Sequence, residues 1–160
     1  FEEYFDKLLH DKKIDEHRVR VRIVGRWQEF FPQKLQDVCN KIIKKTKDYK
    51  NCNLTFLMAY SGIDEMLQSV SKIANVTLRR GSGQRIDANV IKQNLWTNEL
   101  PAVDLVIRTG GEPHWSSGFM MWDTSDAQLY FTETFWPDFR KAEFKKVIED
   151  YMKKERRFGG

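Results

Sequence analysis

The sequence predicts an α/β protein, a mainly parallel sheet flanked by helices, on three observations. Short β-branched or apolar runs alternate with amphipathic segments of ten or more residues, the pattern of βα units whose crossovers cover a parallel sheet on both sides. Two of the runs, 54–60 and 103–107, are almost unbroken apolar stretches, as strands buried on both faces require. A third, 18–24, alternates basic and apolar residues, so that one face of it is buried.

The elements follow in order. Phe5, Leu8 and Leu9 share one face of an opening helix that has no capping residue before it. With no initiating Met, this reads as the later part of a longer chain. Arg18-Val19-Arg20-Val21-Arg22-Ile23-Val24 is the first strand, and Gly25 ends it. Pro32 suits the first turn of a helix in which Leu35, Val38, Cys39, Ile42, Ile43 and Tyr49 recur at helical spacing. The strand at 54–60 turns at Ser61-Gly62 into a second long helix, with Ile63, Met66, Leu67, Val70, Ile73 and Ala74 expected on its inner face. Residues 79–84 read as a loop, and Asp87 as the cap of a helix reaching about Asn98. After the strand at 103–107, the stretch 113–136 is aromatic and irregular, with a short extended piece at 128–132. Asp138 is expected to cap a last helix whose Phe144, Val147, Ile148 and Tyr151 point inward.

Composition narrows the function classes. The 160 residues suit one domain over 1–160, and 41% hydrophobic with 13% aromatic residues against 31% charged argues for a packed core rather than disorder. No apolar run approaches the roughly 20 residues a membrane-spanning helix needs, and the acidic start Phe1-Glu2-Glu3-Tyr4 does not resemble a signal peptide. Cys39 and Cys52 lack C-x-x-C spacing, which suggests reduced thiols in a cytoplasmic protein rather than a disulfide or zinc framework. The net charge of +4 favours an anionic partner without choosing among nucleic acid, diphosphate and an acidic membrane surface. Arg18, Arg20 and Arg22 in a helix-covered sheet sit at an edge or pair with acids, so nucleic acid is not expected as a partner.

Ligands of open parallel sheets bind beyond the carboxyl ends of the strands. Three segments leave those ends: Gly25-Arg26-Trp27, Tyr60-Ser61-Gly62 and Arg108-Thr109-Gly110-Gly111-Glu112. The third carries the most chemistry. An Arg directly after a buried strand can grip a phosphate bidentately. Gly110 and Gly111 would let the backbone approach an anion, and Ser116 and Ser117 add hydroxyls. A tight turn with Arg108 paired to Glu112 is the alternative. The ending Arg156-Arg157-Phe158-Gly159-Gly160 is chemically similar. There is no G-x-x-x-x-G-K-[ST] and no H-E-x-x-H, and His10, His17 and His114 are too scattered for a metal triad.

The segments Asp104-Leu-Val-Ile-Arg-Thr-Gly-Gly-Glu112, Ser117-Gly-Phe-Met-Met-Trp122, Leu129-Tyr-Phe-Thr132 and Trp136-Pro-Asp-Phe139, with the Arg-x-Gly ending, together resemble the C-terminal signature of the cis-prenyltransferases, the undecaprenyl diphosphate synthase family. Arg20-Val-Arg-Ile-Val-Gly25 and Ala59-Tyr60-Ser61-Gly62 are similar to its middle blocks. The resemblance implies the fold of that family without its N-terminal part. It implies a Mg2+-dependent condensation of isopentenyl diphosphate with an allylic diphosphate that creates a Z double bond. By position, Arg108, Ser117, Arg157 and Gly159 would bind isopentenyl diphosphate, with Gly110 and Gly111 shaping the turn. The Arg157–Gly159 tail would reach across a homodimer interface, and the lipid product would bring the protein to a membrane surface.

Departures from the pattern are equally informative. The family's Asp-Gly-Asn-Gly-Arg-like block, with its catalytic metal-binding Asp, has no counterpart in the sequence, so this chain would supply the isopentenyl side of the site and be inactive alone. The loop Pro113-His114-Trp115-Ser116-Ser117-Gly118-Phe119 is one residue longer than the family's and lacks its Arg; by the resemblance His114 either aligns with a family His near the metal or is an ordinary loop His. Gln128 stands where the family has a metal-ligating Glu, and an amide oxygen is the poorer magnesium ligand. Ile63 replaces an Arg. These exchanges suggest altered binding of the second substrate, a non-head-to-tail condensation, or the alternative of a non-catalytic partner subunit in a heteromeric prenyltransferase.

Overall fold

In the computed structural model the described residues are 1–80, with side chains through Leu78, and 85–153. They fall into two compact units, one ending at Asn98 and the other beginning at Glu99.

The first unit opens with α1 (Glu2–His10) and α2 (Lys12–Glu16). Asp11 between them caps α2 through its carboxylate, which accepts the Lys13 N–H. β1 (Val19–Val24) runs parallel to β2 (Cys52–Leu57), in register from Val19 opposite Cys52 to Val24 opposite Leu57. The crossover is made by α3 (Trp27–Phe30) and α4 (Gln33–Thr46), which starts right after Pro32. The alternating pattern of β1 does what it predicts, since Val21 is fully buried. Leu35, Cys39 and Ile42 of α4 pack with Phe5, Trp27, Ile14 and Val21 in two adjoining clusters. Thr46, at the end of α4, is also fully buried. Its Oγ1 accepts the Val21 N–H at 3.0 Å and donates to the Ile42 carbonyl at 2.8 Å, which pins helix to strand. Tyr49 lies past the helix rather than on it, and its hydroxyl donates to Asp15.

Two expectations for this unit are corrected. The run 54–60 is not buried on both faces: β2 takes only its first part, Leu54 and Ala59 are exposed and the rest half-buried, and among the described residues β2 pairs with β1 alone. α5 (Gly62–Arg80) is rotated relative to its apolar stripe: Ile73 is buried and Met66 half-buried as expected, but Ile63, Leu67, Val70 and Ala74 are exposed. The face that goes in is Gly62, Glu65, Ser69 and Ile73, also at helical spacing. Polar anchoring decides the matter. Glu65 Oε1 accepts both the backbone N–H and the hydroxyl of Thr97, at 2.8 and 2.9 Å, and Oε2 accepts the Tyr60 hydroxyl. A buried carboxylate holding three donors fixes the rotation of the helix, where a stripe of apolar side chains would leave those donors unpaired. α6 (Ala88–Asn94) is capped by Asp87 as the sequence predicts, Oδ1 accepting the Val90 N–H. It ends four residues early, because Leu95 turns extended and is buried.

In the second unit β3 (Leu105–Arg108) and β4 (Gln128–Phe131) are again a parallel pair, with Leu105 opposite Gln128 and Arg108 opposite Phe131. Two bonds extend the ladder, Gln128 N–H to the Asp104 carbonyl and Thr132 N–H to the Arg108 carbonyl. α7 (Lys141–Lys153) closes the unit, with Val147 buried. Asp138 does not cap it. Pro137 sets a short 3-10 turn over Trp136–Asp138, the chain straightens at Phe139, and the helix starts afterwards. Phe144 is half-exposed instead of inward. Parallel strands flanked by helices are present in both units, so the class is α/β as predicted, with one parallel pair described in each unit.

Candidate functional site

The carboxyl end of β3 is built around Arg108, the last residue of the strand. Its guanidinium is not idle: Nη2 lies 2.8 Å from Glu112 Oε2, and Nε donates to the Glu112 carbonyl at 3.4 Å. His114 Nε2 stands 3.7 Å from the same Glu112 oxygen. Of the two readings of Arg108, the geometry has the pairing with the carboxylate of its own turn.

That turn is rigidly tied. Gly110 and Gly111 have φ of +93° and +71°, the region glycine adopts without penalty. Their N–H groups donate to the Thr134 and Thr132 carbonyls at 2.9 and 3.0 Å, out of the parallel register, so the turn is clasped to the chain leaving β4. These glycines thus contribute a close-fitting turn more than free donors. A Cβ on Gly111 would overlap the Glu133 carboxylate. Ser117 follows in a short 3-10 turn, Ser116–Gly118, exposed, with φ 48° and ψ 31°. A non-glycine residue held left-handed costs about 1–2 kcal/mol, and such strain gathers at functional loops. One side-chain bond, Trp115 Nε1 to the Phe119 carbonyl at 2.8 Å, spans this loop.

Gln128 sits at the other end of the pair, opposite Leu105 rather than Arg108. Three strand residues, about 10 Å, separate the two levels. Its Oε1 is buried, with no hydrogen-bond partner among the described residues. His114 is exposed and near Glu112, and among the described residues no three His, Cys, Asp or Glu gather as a metal site. One orphaned amide oxygen and one surface imidazole do not suit Mg2+, which takes hard, mostly anionic oxygen ligands. Arg157 and Gly159 lie outside the described residues, as does the segment 81–84.

In the first unit the strand ends are interlocked. Gly25, at φ +115°, lets β1 leave directly against the Met58 carbonyl, and Arg26 N–H donates to the Ala59 carbonyl at 3.1 Å. Ala59 is itself left-handed at φ 47°. Arg26 bonds Glu29 at 2.7 Å, lies 3.6 Å from Asp64, and stacks over the Phe30 ring at 4.9 Å. The bonded guanidinium holds the Glu29 carboxyl below its usual range, while Glu29 makes Arg26 harder still to deprotonate. Sequence reasoning missed Glu65. Its signal was a second helical face, Gly62-Glu65-Ser69-Ile73, that hydrophobicity alone does not pick out. A groove of about 180 Å³ between α5 and α6, lined by Ile73, Thr77, Ile86 and Val90 among others, contains none of the predicted site residues.

Parallel strands under flanking helices, with a guanidinium, a glycine turn and a serine loop at one strand's carboxyl end, define an α/β protein with a candidate anion-binding edge. The chain belongs to the prenyltransferase family of undecaprenyl diphosphate synthases, which matches residues 1–159. The resemblance carried by residues 104–139 is thereby borne out. It is 35% identical over 160 residues to the tritrans,polycis-undecaprenyl-diphosphate synthase (geranylgeranyl-diphosphate specific) of Pyrococcus horikoshii, covering 99% of this chain and 60% of that protein. It is 31% identical to an isoprenyl transferase of Thermus thermophilus, covering 96% of this chain and 60% of the relative. Among solved structures, a protein of Campylobacter jejuni described as a probable undecaprenyl diphosphate synthase superposes with a TM-score of 0.80 at 26% identity, covering 99% of this chain and 70% of that one. Lavandulyl diphosphate synthase from Lavandula x intermedia, at 24% identity, shares the fold with a TM-score of 0.87 over the same shares. The chain spans about 60% of the length of the curated relatives it matches.

Proposed function

We propose that this chain is the C-terminal portion of a single cis-prenyltransferase domain and supplies the isopentenyl-diphosphate side of its active site. The observation that carries the reading is Arg108, at the carboxyl end of a parallel strand in a chain whose residues 1–159 match the family, with the Ser117 turn following nine residues later. The reaction joins an allylic diphosphate to isopentenyl diphosphate with a new Z double bond. Its barrier lies in C–O ionisation, so charge must be held in place while water is excluded. Arg108 grips the isopentenyl diphosphate, the Ser117 hydroxyl donates to it, and Gly110–Gly111 shape the turn that follows Arg108. Arg157 and Gly159 close over the same diphosphate, by the resemblance from the neighbouring protomer of a homodimer. Their combined effect is to hold the nucleophilic double bond at a defined place and orientation, the source of most of the gain in a two-substrate reaction. Mg2+ belongs to the reading through the family, where it neutralises diphosphate charge; these residues alone do not hold it. The product, a polyprenyl diphosphate, brings the protein to a membrane surface, and no described helix is long and apolar enough to cross one.

The test is incorporation of labelled isopentenyl diphosphate into butanol-soluble product with Mg2+. Geranylgeranyl diphosphate is the first allylic partner to try, since it is the one named for the archaeal relatives. Arg108→Gln is expected to raise KM for isopentenyl diphosphate by tenfold or more; an unchanged KM would overturn the assignment. A second reading, a non-catalytic partner subunit, is supported by Gln128, whose neutral, orphaned oxygen stands where the family has a carboxylate. Turnover that appears only with a second chain, and an intact Gln128→Glu variant that stays inactive alone, would favour it.

A further inference from the structure

Glu112 occupies Arg108 in the way a ligand would. A carboxylate offers a guanidinium the same oxygen acceptors and negative charge as a phosphate edge. Here Oε2 takes the Nη2 donor at 2.8 Å, while the Glu112 carbonyl takes Nε at 3.4 Å. The backbone carrying Glu112 cannot drift away, because Gly110 and Gly111 are bonded to the Thr134 and Thr132 carbonyls. The side chain can. It is 61% exposed, and His114, 3.7 Å from the same oxygen, offers a second place to rest.

We propose that Glu112 is an internal stand-in for the diphosphate: it sits on Arg108 until a ligand displaces it, and so sets how strongly an anion must bind to be retained. The proposal rests on reading Arg108 as the diphosphate anchor and adds to it an element of ligand choice. The pair is partly exposed, so it is weak enough to be displaced. Once displaced, the carboxylate remains tethered next to the anion and repels it. An anion held by Arg108 alone, such as inorganic phosphate, is kept out by this competition, whereas a ligand with further contacts stays. Glu112 is thus a built-in competitor that lowers affinity, the opposite of a residue that orders Arg108 for binding.

The sign of one substitution separates these roles. Pyrophosphate and inorganic phosphate would be titrated calorimetrically into the wild-type protein, Glu112→Gln and Arg108→Gln in metal-free buffer at low salt. Glu112→Asp, whose shorter arm withdraws from the guanidinium, serves as a second variant should Glu112→Gln fold poorly. Glu112→Gln should tighten pyrophosphate binding roughly 3- to 10-fold and bring phosphate binding into the measurable range. Glu112→Asp should shift it the same way by less. Unchanged or weaker binding in these variants, with binding that still needs Arg108, would overturn the stand-in alone. No binding by either the wild type or Glu112→Gln, or binding indifferent to Arg108→Gln, would overturn the anchor reading and the stand-in with it.

Discussion

Gly25 and Gly111 both have positive φ and both sit where a methyl group would collide, yet their replacement by alanine should differ sharply. At Gly25 the new Cβ would overlap the Met58 carbonyl oxygen and come within 3.2 Å of Tyr60 Cβ. That wall is main chain and is held twice, by Met58 N–H to the Val24 carbonyl at 2.9 Å and Arg26 N–H to the Ala59 carbonyl at 3.1 Å. It cannot retreat without opening the β1–β2 exit. The φ of +115° also lies beyond the left-handed region an alanine tolerates. Backbone strain of about 1–2 kcal/mol and overpacking of about 1–3 kcal/mol together give a loss of about 2–5 kcal/mol. At Gly111 the obstacle is the far end of the Glu133 side chain, which can swing into solvent, and φ is +71°. Only the left-handed penalty remains, about 1 kcal/mol. Urea unfolding followed by tryptophan fluorescence reads the difference. With a slope of about 2 kcal/mol per molar, Gly25→Ala should lower the midpoint by about 1–2.5 M and Gly111→Ala by about 0.5 M. Equal shifts, or a silent Gly25→Ala, would refute the claim that a fixed main-chain wall, and not the sign of φ, dictates glycine at position 25.

Thr46→Val keeps the shape of the buried side chain but leaves the Val21 N–H without its acceptor, so it should cost about 1–3 kcal/mol and speed hydrogen exchange at Val21, while Thr46→Ser should retain the bond. Asp15 accepts hydrogen bonds from Lys45 and Tyr49, which hold its carboxyl below the usual range. The folded state therefore binds that proton more weakly than the unfolded state, and the stabilisation present above the ordinary carboxylate range is lost as pH falls below it. Asp15→Asn should flatten this part of the acid decline, read as urea midpoints at pH 7 and pH 3.

The strands and the helices between them were legible because their signals are local. Alternation at 18–24 and the Asp87 cap are set by neighbours in sequence, and both fall where expected. The rotation of α5 was not legible, since it depends on Thr97 and Tyr60 meeting Glu65 across 32 and five positions of chain. An apolar stripe from Ile63 to Ala74 outweighs one carboxylate on any hydrophobic scale, and loses to it once three donors converge. Asp138 illustrates a competing local rule: a capping residue is overruled when Pro137 commits the chain to a 3-10 turn. At the candidate site, sequence located Arg108 at a strand end and foresaw the Glu112 pairing as one of two readings. It could not reveal that the glycine N–H groups are taken up by the chain leaving β4, because their acceptors, Thr132 and Thr134, lie more than 20 residues further on.

The anchoring of Gly110 and Gly111 to the exit of β4 has a consequence for how this surface can change over evolutionary time. Adding or removing one residue between Arg108 and Glu112 would misplace the two glycine N–H groups from their Thr134 and Thr132 acceptors and shift Glu112 relative to Arg108. From Pro113 to Phe119 the bonds described are local, among them Trp115 Nε1–H to the Phe119 carbonyl and Phe119 N–H to the Ser116 carbonyl. Length is therefore negotiable there and nearly forbidden four residues earlier. New ligand preferences in descendants of this chain should arise by remodelling the serine loop around an arginine whose setting stays constant.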